Sequence, residues 1–220
     1  MVGPVVNPHH FRASLNTKQG ELKMDDGQIA TKTLEQYRDE FKQKKLITMP
    51  LSGTIIWASL AIMATQIPDQ QMVLPMYIGT GSIFYLALLL SKFTGETLIA
   101  KKADRNPFDS LFLYTVVMSL MVFAIAMPFA ALDHTSIPLS IGILSGLMWL
   151  PLSWIIEHKV GVIHTFVRTS AIVTVWLLLP EQRFVAVPAV IVCIYLVSLY
   201  QLHQRWSALN TPVVRKPVSH

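Results

Sequence analysis

His164 and Arg168 stand four residues apart inside an apolar stretch, and they are the residues here best suited to chemistry. On a helix this spacing puts both on one face, with Thr165 and Thr169 on the same side and Gly161 one turn before. Arg168 offers a planar fork of N–H donors matched to a carboxylate or phosphate. His164 can donate a hydrogen bond or accept a proton. A charge at membrane depth costs from about 2.5 to more than 10 kcal/mol depending on the estimate, so ionisable residues there are rare. The pair therefore reads as a binding site for an anionic group, or as a charge relay. Two plainer readings compete with it. Arg168 snorkels to the headgroups, or it is a structural residue bonded to a carboxylate or to backbone carbonyls. Glu157 lies beside His158 and Lys159 at the membrane edge, where it pairs with Arg168, pairs with basic loop residues, or is simply solvated. The expected substrate-binding set is Arg168, His164, Thr165 and Glu157, between the fourth and fifth apolar segments.

Other chemistry finds little footing. The sequence has no phosphate-binding glycine loop, no H-E-x-x-H pair and no G-x-S-x-G elbow. Ser170 near His164 is too little to make a hydrolase. Cys193, the single cysteine, excludes an intrachain disulfide and a multi-cysteine metal site. The expectation is no enzyme, no catalytic residues, no metal and no cofactor.

The elements that must position the pair follow from hydropathy. Apolar residues make up 52% of the chain and charged residues only 14%, against roughly 25% in soluble domains. Most of its surface therefore cannot face water. Six apolar segments, at about 46–67, 72–93, 111–131, 137–156, 160–179 and 184–202, each approach the roughly 20 residues a helix needs to cross a bilayer. Backbone groups in lipid must bond within their own segment, so these are helices. The fold class is all-α, a polytopic membrane bundle of about six transmembrane helices over 46–203. Thr94 to Lys102 can extend the second helix, and Asp109 or Ser110 can cap the third. Residues 31–45 form an amphipathic interfacial helix, with Leu34, Tyr37 and Phe41 at helical spacing and a basic last turn. It lies at the interface or docks a partner. Residues 1–30 and 204–220 read as polar tails, and no cleavable leader is visible in the first 45 residues.

Basic residues set the orientation. Lys32, Arg38, Lys42, Lys44, Lys45, Lys92, Lys101, Lys102, Arg105, Lys159, Arg205, Arg215 and Lys216 fall on one side; the other holds Asp69, Asp133, Glu181 and Arg183. By the positive-inside rule both termini are cytoplasmic. The +5 formal charge lies in short runs between apolar segments, which argues against nucleic acid. The partners expected are the lipid bilayer and a second copy or another membrane protein.

Three short motifs carry a resemblance: Tyr37-Arg38-x-Glu40-Phe41 before the first membrane helix, Asn106-Pro107-Phe108 before the third, and Leu150-Pro151-Leu152-Ser153-Trp154 closing the fourth. In this order they resemble a family of small, uncharacterised bacterial integral-membrane proteins, a domain of unknown function, over about residues 34–202. The resemblance implies a multi-pass protein of the bacterial cytoplasmic (inner) membrane and supplies no activity or site. Two functions remain open. One is a small transporter with a polar site at Arg168 and His164; the other is a non-transporting scaffold or regulatory subunit.

Overall fold

A computed structural model describes residues 32–99 and 106–210, and the helices form one compact unit that begins at Leu34. The expected tail over 1–30 and the last ten residues lie outside the described residues, as do Lys101, Lys102 and Arg105. The described residues form helices and no strand: α1 (Leu34–Lys42), α2 (Thr48–Met63), α3 (Val73–Thr94), α4 (Pro107–Leu120), α5 (Phe123–Leu132), α6 (Ser136–Gly146), α7 (Trp149–Ile155), α8 (Val160–Leu178) and α9 (Arg183–Asn210). Five stretches are long and apolar enough to cross a membrane: Asp69–Thr94, Pro107–Leu132, Ser136–Ile155, Val160–Leu178 and Pro180–Asn210. Their outward faces carry Leu74, Tyr85, Phe93, Tyr114, Leu132 and Leu178, all largely exposed. A surface of that kind is suited to lipid.

Each expected segment is helical, but several ends and joins differ. α2 has 16 residues, about 24 Å at the standard rise, and is shorter than a full span. Its start is set by Leu46 in the left-handed region (φ 60°), after which the Glu96 carboxylate accepts the N–H of Ile47 at 2.9 Å and of Thr48 at 3.4 Å. Its far end tightens into i→i+3 bonds at Thr65 and Gln66. α3 stops at Thr94 instead of running on to Lys102, because Gly95 turns left-handed (φ 73°) and returns its N–H to Ser91. α4 starts at Pro107, four residues early, and its cap is the Asn106 side chain, which accepts from Phe108 N at 2.9 Å; neither Asp109 nor Ser110 takes that role. The third span breaks at Met121–Val122 and the fourth at Leu147–Met148. In the fourth the cause is Pro151, which has no N–H for the Leu147 carbonyl; Leu150 N takes that carbonyl at 3.1 Å. α9 continues to Asn210, past the expected boundary at 203.

Packing sets α8 against three helices, with one side outward. α2 lies along α9 and α3, while α8 contacts α9, α6 and α7. The α7–α8 turn is tight, with Glu157 at φ 51°. Ser153 Oγ donates to the His158 carbonyl and accepts from Val162 N at 3.2 Å. Gly161 lets the two helices touch there, since a Cβ on it would sit 2.1 Å from the Trp149 carbonyl oxygen.

One end of the bundle is closed by α1. Phe41 is buried against Phe108 and Phe112, with ring centroids 6.4 and 6.2 Å away. Arg38 caps the C-terminus of α7, donating Nε to Ile155 O at 3.1 Å and Nη2 to Trp154 O. Arg205 donates to the carbonyls of Lys42 and Lys44, and Lys44 pairs with Asp109. These bonds satisfy terminal carbonyls that no intrahelical N–H can reach.

His158 Nδ1 accepts from Val160 N at 3.2 Å, and burial, followed by the charge of Arg205, holds this imidazole below its ordinary value. The unfolded chain therefore binds the proton first as pH falls, so the His158 contribution is complete above about pH 6.5 and declines below it. The parent chain should lose melting temperature between pH 7.5 and 5.5 more steeply than His158→Asn; equal slopes would refute the assignment. Gly161→Ala should destabilise the chain by about 1–3 kcal/mol or abolish folding, because backbone must move to admit the methyl. A parent-like melting curve would show that the α7–α8 contact is looser than this.

Candidate functional site

Arg168 lies about 12 Å along α8 from Val160, near the middle of the span. It is fully buried, so it does not snorkel. Nε donates to Gly142 O at 2.8 Å, Nη2 to Ser145 Oγ at 3.1 Å, and Nη1 lies 3.4 Å from His164 Nε2. Its guanidinium carbon stands 5.2 Å from the Tyr195 ring and 5.7 Å from the Trp57 ring. A guanidinium has five N–H groups. Three are directed at these partners, and two remain.

The charge has no buried partner of opposite sign among the described residues. Among the described residues every Asp and Glu is exposed or half-buried, and no ion pair reaches Arg168. Glu157, expected near it, lies instead in the α7–α8 turn, bonded to Arg38 Nη1 and Lys42 Nζ, each at 2.8 Å. The hydrogen bond from Lys42, then the charges of Arg38 and Lys42, hold this exposed carboxyl below its usual range. Glu157 is thus part of the α1 closure and not of the Arg168 cluster.

His164 is buried against aromatic rings. It stacks on Trp149 at 4.0 Å with planes 14° apart, and Tyr195 tilts against it at 5.1 Å. Its tautomer follows from its partners. Arg168 can only donate, so Nε2 accepts and the proton sits on Nδ1. Nδ1 then donates to Ser198 Oγ at 2.7 Å, and Ser198 passes its own proton to Ile194 O at 2.9 Å. A directed chain of donors therefore runs from Arg168 on α8 to the backbone of α9. Thr165 joins at the margin, its hydroxyl 3.3 Å from Gly146 O.

The structure brings Arg168, His164 and Thr165 together and leaves Glu157 outside. It adds Gly142, Ser145, Trp149, Tyr195, Trp57 and Ser198, which sequence reasoning did not assign to the site. One signal for them is present: Gly142 and Gly146 have the small-x-x-x-small spacing that lets membrane helices approach closely. A Cβ on Gly146 would lie 2.9 Å from Arg168 Cδ, so this glycine makes the room the arginine occupies. Trp149 is buried, whereas Trp154 is largely exposed beneath Arg38.

A narrow cavity of about 70 Å³ runs beside the cluster, with Ser145, Trp149 and Tyr195 in its wall. Its remaining lining is mostly apolar, including Phe84, Phe112, Val116, Leu120 and Leu152. Glu96 and Leu98 mark its end on the α1 side, where a wider space of about 410 Å³ is bordered by Lys44, Lys45, Thr94 and Asp109.

His164→Phe keeps an aromatic stack on Trp149 but removes the acceptor for Arg168 and the donor to Ser198. It should cost about 1–3 kcal/mol, the usual penalty for orphaned buried groups. Thr165→Val, which loses one long hydrogen bond, should cost less than about 1 kcal/mol. Thermal denaturation of the two purified variants gives the comparison, and the reverse order would refute the donor chain.

A family model described as "Family of unknown function (DUF7010)" matches residues 34–205. No curated protein matches the chain, and no solved structure does. The match begins at the first residue of α1 and ends at Arg205, so it takes in the membrane helices, the Arg168 cluster and both arginines that close the α1 end. The chain belongs to this family of unknown function.

Proposed function

We propose that this membrane protein binds a small organic anion between α6 and α8, and that it is a carrier rather than an enzyme. The observation that carries the reading is the buried guanidinium of Arg168, which has no carboxylate beside it among the described residues. An unpaired charge in a low-dielectric interior is unfavourable until an ion of opposite sign arrives. The 3.4 Å contact to His164 is the weakest of the three hydrogen bonds, and an anion that displaced it would gain two-point contact with the guanidinium fork. The freed Nε2 of His164 is then a hydrogen-bond acceptor at the same place.

For α1 the reading rests on closure: Phe41, Arg38 and Lys42 are engaged with the bundle, while Leu34 at the start of its apolar face is exposed. We place the α1 end in the cytoplasm, on the weight of Arg38, Lys42, Lys44, Lys45, Lys92 and Arg205 there. The cavity then opens from the cytoplasmic side.

Access is the decisive property. With Cys193→Ser as background, Ser145→Cys should react with a membrane-impermeant thiol reagent added from the cytoplasmic side and stay protected from the other. If a monodisperse protein reacted from neither side, Arg168 would be a sealed structural strut and the carrier reading would fall.

A further inference from the structure

The cavity and the charge share a wall, and their chemistries differ. Ser145 Oγ accepts from Arg168 and also lines the cavity, while Trp149 and Tyr195 face the cluster and the cavity together. Along the way to that wall the lining is mostly apolar, with Phe84, Phe112, Val116, Leu120 and Leu152; its polar side chains are Thr80, Ser119 and, at the α1 end, the Glu96 carboxylate, besides Ser145 and Tyr195 in the wall itself. A small hydrophilic anion would have to give up its water along such a path with little to replace it. An anion carrying an apolar chain gains from the same path, about fourfold in affinity for each methylene buried.

We infer that the ligand is a lipophilic anion: a carboxylate or phosphate monoester whose acidic group lies at Arg168 and Ser145 and whose single unbranched chain occupies the cavity beside α3 and α4. This inference rests on the anion-site reading of Arg168. Charge complementarity selects the head, since Arg168 is fully buried without a counter-ion among the described residues. The lining selects the tail, since a space of about 70 Å³ walled mostly by apolar side chains favours a single slender alkyl chain. The wider space at Lys44, Lys45 and Glu96 receives whatever part of the chain extends past the cavity.

Trp149 in the wall supplies an internal reporter. The full chain is placed in phosphatidylcholine vesicles and titrated with decanoate brominated on its chain, which quenches nearby tryptophan. Saturable quenching is expected. Unlabelled decanoate should displace the probe, acetate should not, and 1-decanol should do so at least tenfold more weakly. Arg168→Gln should weaken the probe at least tenfold, and Val116→Phe, which narrows the cavity and leaves the charge in place, should weaken it comparably. Lysophosphatidate serves as the lipid-derived competitor: displacement by it or by decanoate supports the inference and tells which source the site accepts.

Failures separate cleanly. If acetate competes as well as decanoate and Val116→Phe has no effect, the tail is wrong and the anion site stands. If 1-decanol equals decanoate and Arg168→Gln has no effect, the anion site itself is wrong and the inference goes with it. Quenching that never saturates, and is the same in Val116→Phe, overturns both.

Discussion

A guanidinium held away from water constrains everything around it. At Arg168, α8 must surround a charge with acceptors and polarisable faces. It draws a carbonyl from α6, a hydroxyl from α6, an imidazole from its own helix and rings from α2 and α9. Each of those contributions fixes a helix at a particular distance and rotation. The Gly142 carbonyl is reachable because Gly146, one turn on, has no side chain to hold the two helices apart. Hydrogen bonds to a charged group are worth roughly 1.5–3 kcal/mol each and ring contacts about 0.5–2. Such contacts offset a large part of the burial cost and leave the charge itself unneutralised.

The closed end of the bundle handles a different problem with the same side-chain type. α1 and α7 are short helices whose last carbonyls would otherwise be left without donors near the membrane edge. Arg38 serves the end of α7 and Arg205 the end of α1. Since Phe41 of α1 and Lys44 just past its end border the wide space next to the cavity, the caps bear on access as well as on stability. The pairing of Glu157 with Arg38 and Lys42 belongs to this closure.

Hydropathy made the helices legible because lipid leaves the backbone no alternative, and the match to an uncharacterised family agrees with the resemblance carried by the three motifs. Periodicity likewise put His164, Thr165 and Arg168 on one face, which they share. What it left obscure were partners from other helices. Nothing in the local sequence marks Tyr195 or Trp57 as facing Arg168, because each is an aromatic residue in an apolar run, and a run of that kind has no polar stripe to give its rotation. Glu157 was misplaced for a related reason: proximity along the chain to α8 says little once the chain turns back at φ 51° and points the residue at α1. Helix ends differed where a single residue decided them, as at Gly95 and Asn106, or where a helix ran on past its apolar run, as in α9.

The join between α6 and α7 ties the cavity to the cluster. Pro151 has no N–H to offer the Leu147 carbonyl, so the fourth span breaks and Leu150 closes a tighter turn. An unbroken helix would carry Trp149 onward in the same rotation as Gly142 and Ser145. After the break, Trp149 lies flat beneath His164 and at the same time forms cavity wall next to Ser145. The position of His164 between Trp149 and Tyr195 then leaves Nε2 toward Arg168 and Nδ1 toward Ser198, which sets the tautomer. Just beyond the break, Trp149 thus supports the histidine that receives the arginine. Contacts run on from Arg168 through His164 and Trp149 to the α7–α8 turn, where Ser153 and Gly161 join the same two helices.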